Sequence, residues 1–406
     1  MRATPIRTGS GGSEPIGREA ARIGIVAADP AIIEPLVAGL LPELARQGHA
    51  VDCFAPFGGG LQVRRLAALG ARVHAIELHR SGIDPGAQIR SLASLSKALR
   101  EAGSQALLGL GLNGSVFASL AGRMLGIGRV ISLIDQVVLE PPAGRGLMAR
   151  VRRETTRRLF RMALSRSHAA IFYHRDDPSV LARAGVLPRH LAVHVVSGAG
   201  LNLADVREMA LPAISDGLTF LMAAPLERAR GVETFLAAAR LMLARGVRAK
   251  WLLYGPDGEG RDAISRDDIS RSAGPVVCLG PELDLESVFS QSHVLVLPAT
   301  TSGSSDVALQ GLAVARPVIA SDVVGLRDIV DEGVNGILVP PGDEEALVGA
   351  MTRLLKRPDL IPSMALASRR KAERLYDVRL ANRLVIEALD LGRVGQGGAQ
   401  GLRGAA

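Results

Sequence analysis

Aromatic residues make up only 3% of this chain, with one Trp, three Tyr and eight Phe among 406 positions. Proteins that hold single-stranded nucleic acid need aromatic platforms on which bases stack, so this scarcity argues against a nucleic-acid partner despite a net charge of +8. Cysteine is equally rare. Cys53 and Cys278 lie too far apart to read as a ligand pair, and two cysteines in so long a chain supply no disulfide framework, which fits a reducing compartment. The histidines contain no HExxH pair, and His190 and His194 lack a nearby third ligand, so no metal site is expected. There is no GxSxG nucleophile elbow either. Residues 1–21 are polar and rich in Gly and Ser with no apolar core, which predicts a disordered lead, not a signal peptide, and a cytoplasmic protein.

Long hydrophobic runs are also missing, with one candidate to test. Ala102 to Gly122 carries no charge and is long enough to cross a bilayer. Gln105, Asn113, Ser115 and Ser119 interrupt it, however, and Gly109, Gly111 and Gly114 would break a lone helix. The segment reads instead as a buried strand over 106–110, a glycine turn, and a helix from about Val116.

What the chain does have is arginine. Lys97, Lys250, Lys356 and Lys371 are its only lysines, out of 48 basic residues. Eight arginines, from Arg145 to Arg166, are opposed within that segment only by Glu154. Leu147, Val151, Leu159 and Met162 give the same segment an apolar side, the pattern of a basic amphipathic helix suited to an anionic membrane surface. An ordinary solvated helix face is the alternative.

Apolar runs alternate with helical periodicity along the whole length, the signature of βα units with parallel sheets covered on both faces. Strands are predicted at 23–27, 51–54, 73–76, 106–110, 130–133, 169–172 and 193–196. After a stretch rich in Gly, Asp, Pro and Ser they resume at 218–223, 251–254, 276–279, 294–297, 318–320 and 337–339. Ile33, Leu36, Val37, Leu40, Leu41 and Leu44 recur at three and four residues, predicting one helix that ends at Gly48. The organisation expected is an α/β chain with two doubly wound, parallel-sheet, Rossmann-like domains facing a central cleft: a first domain over 22–200, a linker over 201–217, a second domain over 218–376, a C-terminal helix over 377–392 returning to the first domain, and a flexible tail over 393–406. Ligands of such sheets bind at the carboxyl ends of the strands.

The sharpest motif is residues 294–341, VLVLPATTSGSSDVALQGLAVARPVIASDVVGLRDIVDEGVNGILVPP. It resembles the donor-binding half of retaining glycosyltransferases of family 4, which have the GT-B architecture. The resemblance extends to Gln47 to Val51, Arg80 to Asp84, Phe172 to Asp177 and Ser197 to Leu203, and is greatest to the branch that extends lipid-linked carriers for bacterial surface polysaccharides. It implies a nucleotide-sugar donor and a polyprenyl-diphosphate-linked glycan acceptor, with the chain peripheral on the inner face of the plasma membrane. No cofactor beyond the nucleotide sugar as co-substrate is expected. A metal-dependent transferase of the GT-A kind would need an Asp-x-Asp pair after a strand, and none stands there.

This sequence departs from the family at the donor site. The resemblance places two glutamates at the positions of Ser302 and Gln310, and an arginine and a lysine at those of Pro225 and Arg230. Arg230, Ser302, Gly303 and Gln310 are the donor-binding candidates, with Pro225 as a substituted position; no catalytic residue is assigned. Proline offers the diphosphate neither a side-chain cation nor an N–H, whereas arginine still grips phosphate through its planar fork. Asp306 lies between Ser302 and Gln310 and reads, with Ser304 and Ser305, as an N-cap cluster. The expected function is transfer of a sugar to a glycan in exopolysaccharide, capsule or O-antigen assembly. The alternative is a catalytically silent homologue acting as a binding or regulatory module. A competing signal, Gly109-Leu110-Gly111-Leu112-Asn113-Gly114 with Asp135 beyond it, fits a dinucleotide fingerprint but falls in the fourth βα unit, not the first.

Overall fold

The computed structural model describes residues 20–78, 85–135, 137, 147–196, 198, 200–258, 260–280, 282–301 and 305–391. Two all-parallel sheets organise them. The first holds seven strands: β1 Arg22–Ala27, β2 Ala50–Ala55, β3 Arg72–Ala75, β4 Ala106–Leu110, β5 Arg129–Ile134, β6 Ala169–Phe172 and β7 Ala192–Val195, in spatial order 3-2-1-4-5-6-7. The second holds six: β8 Thr219–Ala223, β9 Lys250–Tyr254, β10 Val276–Cys278, β11 Val294–Leu297, β12 Val318–Ser321 and β13 Gly336–Val339, in order 10-9-8-11-12-13. All thirteen overlap the runs read from the sequence; the central ones are unbroken apolar runs because strands covered on both faces cannot alternate polar and apolar residues, whereas β3 and β7 at the edges are largely exposed. In β4, for example, all five residues are buried.

Each sheet lies between two apolar layers. In the second domain Phe220, Met222, Trp251, Phe235 and Met351 pack one face, and Leu221, Leu295, Leu297, Leu309 and Leu312 the other. Three histidines are tied into this framework. His49 Nδ1 accepts from the Ala21 N–H at 3.1 Å, His168 Nδ1 from Val130 at 3.1 Å and His293 Nδ1 from Thr219 at 3.0 Å, each satisfying an amide at the start of a strand. Ala21, read from the sequence as the end of a disordered lead, is buried and bonded there.

Two helices differ from expectation. The predicted single helix after β1 is two short ones, Ile33–Val37 and Leu40–Arg46. Pro42 lacks the N–H that would bond Ala38, which breaks the helix at Ala38-Gly39. The break has a use: a side chain at Gly39 would fall 2.5 Å from Val378 Cγ2, and Asn382 Nδ2 donates to the Gly39 carbonyl at 2.7 Å. The helix expected from Val116 begins five residues earlier and spans Gly111–Leu125. A Cβ at Gly114 would stand 2.5 Å from the Val26 carbonyl oxygen, so its glycines serve close packing of helix on strand. That is the physical content of the dinucleotide-like motif.

The domains are joined twice. Leu201 and Asp377 form a parallel bridge, with Leu201 N–H donating to the Tyr376 carbonyl at 2.7 Å and Val378 N–H to Leu201 at 2.9 Å. The helix Val378–Leu389 then packs on the first domain, where Arg129 Nε donates to the Ala388 carbonyl. Arg316, fully buried, donates to the carbonyls of Met209, Ala210, Phe289, Val314 and Ala315. It thereby holds the linker segment onto the second domain. Burial without a carboxylate lowers its pKa to about 10.

Candidate active site

At the carboxyl edge of the second sheet the loops after β8, β9, β10 and β11 are stitched together mainly by backbone. Leu226 bridges Asp257, and Glu227 bridges Ala263. Leu226 N–H donates to the Pro256 carbonyl at 3.0 Å and Ile264 N–H to Leu226 at 2.8 Å. On the other flank Thr300 N–H donates to the Ala229 carbonyl at 3.0 Å. Two glycines make this proximity possible. Gly231 has φ +83°, and a Cβ there would fall 1.9 Å from the Pro298 oxygen; one at Gly255 would fall 1.8 Å from the Ala224 oxygen. Nothing in the sequence reading singled out either glycine; their position directly after a strand or turn and before a helix was the available signal.

Among the predicted donor residues, Pro225 sits directly after β8, half-buried. Its neighbours Ala224 and Leu226 donate their N–H groups to the β9 side, so a proline between them breaks no bond of that ladder. Arg230 closes the short 3-10 turn Arg228–Arg230 ahead of the helix Val232–Ala244. Its side chain is 31% exposed, with Nε 3.4 Å from Glu227 Oε2. A partly buried cation thus immediately precedes the start of a thirteen-residue helix, an arrangement suited to phosphate. Arg228 turns instead to Glu233, 3.2 Å away on the surface. Gln310 is half-buried on the helix Ser305–Ala313, and Asp306 is exposed in its first turn. Ser302, Gly303 and Ser304 lie outside the described residues.

Across the cleft the first sheet presents a group of carboxylates that the sequence reading did not bring together: Asp135 stood only in the dinucleotide-like signal, and Asp176 and Asp177 only in the Phe172 to Asp177 match. Asp135 follows β5, and a Cβ on Gly111 would lie 3.6 Å from its Oδ1. His174, Asp176 and Asp177 follow β6. Asp177 is 4% exposed, and its Oδ2 has no hydrogen-bond partner among the described residues. Burial raises its pKa to about 7; Asp176, Asp135 and Asp328 push the same way, opposed by the bond from the Val137 N–H. Burial also lowers the His174 pKa, against the pull of Asp328, Asp135 and Asp176. Asp328 belongs to the second domain and approaches where the domains touch. There Arg327 bonds Asp322 at 2.7 Å and reaches Asp176 at 3.4 Å, and Tyr376 Oη donates to the Asp328 carbonyl at 2.9 Å. Among the described residues no cluster of three His, Cys, Asp or Glu is placed to hold a metal ion.

Residues 217–357, which carry this second-domain edge, match the family described as glycosyl transferases group 1. The match covers about a third of the chain. The two-domain fold is that of GT-B glycosyltransferases. It superimposes on Anabaena HepE in complex with UDP with a TM-score of 0.70 at 14% identity, covering 91% of this chain and 99% of that one. On sucrose-phosphate synthase from Thermosynechococcus elongatus the TM-score is 0.67 at 20% identity, over 93% and 98% of the two chains. Among curated relatives, the amylovoran biosynthesis glycosyltransferase AmsK of Erwinia amylovora is 24% identical over 44% of this chain and 46% of its own length. The alpha-D-kanosaminyltransferase of Streptomyces kanamyceticus is 30% identical over 34% and 36%. The matched part is thus under half the length of these relatives. They are named as glycosyltransferases, and those of polysaccharide biosynthesis include CapM of Staphylococcus aureus, 22% identical over 37% of this chain and 40% of its own.

Proposed function

We propose that the chain is a retaining glycosyltransferase that takes a sugar from a nucleotide-sugar donor and passes it to a lipid-linked glycan during surface polysaccharide assembly. The observation that carries this reading is Arg230, held half-buried beside the start of the Val232–Ala244 helix within the residues that match the group 1 family. Relatives named for amylovoran and capsular polysaccharide biosynthesis support the pathway class, and a structural neighbour in complex with UDP supports the donor class.

Departure of the sugar places negative charge on the diphosphate oxygens. Preorganised donors stabilise that charge, and loss of one costs about 10²- to 10³-fold in rate. Arg230 and the N–H groups of residues 232–234 supply the cation and dipoles, while Gln310 offers an amide to ribose hydroxyls. On the acceptor side the helix Leu147–Ser165 supports contact with an anionic leaflet. Its Arg150, Arg158, Arg161 and Arg166 are exposed. Phe160, Ala163 and Leu164 turn into the protein, and Val151 stays 51% exposed. The inward face is therefore not the one that Leu147, Val151, Leu159 and Met162 would form. Among the described residues no helix is long and apolar enough to cross a membrane.

Calorimetric titration of the intact chain with UDP-, GDP-, dTDP- and ADP-sugars tests the donor assignment. One nucleotide class is expected to bind, and Arg230→Ala to weaken it at least about tenfold, the equivalent of ~1.4 kcal/mol. Absence of binding across the panel refutes the reading. Binding without sugar transfer to a lipid-linked acceptor supports a silent binding module in its place.

A further inference from the structure

We propose that Arg266 is a positioning residue that shapes the nucleoside end of the donor site; the inference rests on the transferase reading above. Arg266 is the first residue of the helix Arg266–Ser272, capped by Ser265. Side chains in that position lean back toward the N-terminus, and this one returns over the loop it follows. Every nitrogen of its guanidinium is engaged: Nε with Asp257 Oδ1 at 2.7 Å, Nη2 with the Gly255 carbonyl at 2.8 Å, and Nη1 with the Leu279 carbonyl at 3.3 Å and Cys278 Sγ at 3.7 Å. Only 30% of the side chain is exposed.

These partners belong to two different loops. β10 is the edge strand and pairs with β9 over three residues. After the bond from Leu279 N–H to the Leu253 carbonyl the backbone ladder ends, and the loops diverge. Arg266 fills the fork, with a second tie from Tyr254 Oη to the Leu283 carbonyl at 2.8 Å. A lysine, with a single point charge, cannot span the same set.

The location gives the role. A donor diphosphate at Arg230 sits at the switch point between β8 and β11, where the direction of strand order reverses. On the β12 flank the edge is occupied by the interdomain pair of Arg327 with Asp176 and, beside it, by Tyr376 bonded to Asp328 within the second domain. The nucleoside therefore extends over the loops after β9 and β10, whose spacing Arg266 fixes. It acts through Gly255, Asp257 and Leu279, leaving the diphosphate to Arg230.

Titration of the full chain with UDP, GDP, dTDP, ADP and inorganic pyrophosphate, paired with donor kinetics, tests this. Arg266→Ala is expected to weaken the bound nucleoside diphosphate, and to raise donor KM, about tenfold, with kcat and pyrophosphate affinity within about twofold. Arg266→Lys, which keeps charge and stem, falls between. Asp257→Asn, on an exposed partner, keeps the test available should the alanine variant fail to fold. Equal loss of pyrophosphate and nucleotide affinity, or no loss in any variant while the wild type binds nucleotide, overturns the role of Arg266. A wild type that binds no nucleotide overturns the transferase reading and this inference with it.

Discussion

Asp177→Asn should make the protein more stable at alkaline pH while changing little in acid. The carboxyl is 4% exposed with an Oδ2 unpartnered among the described residues, and its pKa is raised to about 7, first by burial and then by Asp176, Asp135 and Asp328. Unfolded aspartate titrates near ~3.9. As pH rises past 4 the unfolded chain releases this proton while the folded one keeps it. Folding stability therefore falls between about pH 4 and pH 7 and is level above. A shift of about three pH units corresponds to ~4 kcal/mol at most, and water reaching the cleft reduces this, so about 2–4 kcal/mol is the expected range. Asparagine is the neutral isostere and retains an oxygen for the Val137 N–H. Urea unfolding of both proteins at pH 4.5 and pH 8 isolates the effect, because all other titrations are common to the pair. The variant should gain less than about 1 kcal/mol at pH 4.5 and about 2–4 kcal/mol at pH 8. An identical difference at the two pH values would show that Asp177 ionises freely, and the reasoning would fail.

Arg316→Leu strips five carbonyls, three of them in fully buried bonds, of their donor and should cost about 3–5 kcal/mol in urea unfolding; a cost below about 1 kcal/mol would mean that the linker is held by other contacts. Gly231→Ala drives a methyl to within 1.9 Å of the Pro298 oxygen from a left-handed backbone, so it should cost at least about 2 kcal/mol and weaken nucleotide binding. A thermal melt and a nucleotide titration check both effects. Replacing exposed Arg150, Arg158, Arg161 and Arg166 with Glu should abolish flotation with anionic vesicles at low salt and shift Tm by no more than a few degrees. Vesicle binding that survives the change would place the contact elsewhere.

The parts legible in the sequence were those whose cause is local. The central strands could be read because a doubly covered strand is an unbroken apolar run, as in β4 and β11. A glycine, by contrast, reads as a breaker whichever role it plays, and only the approach of Val26 to Gly114 explains why the helix starts at Gly111. Asp177 stood in the sequence only as the end of the Phe172 to Asp177 match. Its pKa is raised first by burial and then by neighbouring carboxylates that include Asp135, over forty positions earlier, and Asp328, about a hundred and fifty later, and no spacing rule connects them. Arg266 stands in a run of Ser, Arg and Asp that reads as a solvated helix start, and its partners at Gly255 and Leu279 come into reach only when β9 and β10 are side by side.

The same distinction bears on the substituted donor edge. Bonds from Leu226, Ile264 and Thr300 and the bridges at Leu226 and Glu227 set the shape of that edge through backbone groups, and backbone geometry is indifferent to whether position 225 carries a cation. On the proposed reading of Pro225 as a substituted position, the backbone platform there stays intact and what is lost is a cation, together with the N–H that proline lacks. Ground-state binding spreads over many contacts, whereas charge developing on a leaving diphosphate is met by few. A chain whose proposed diphosphate cation is Arg230 should accordingly lose more in kcat than in donor affinity. Restoring Pro225→Arg should then raise kcat by more than it lowers KM, whereas an equal change in both would locate the deficit in binding.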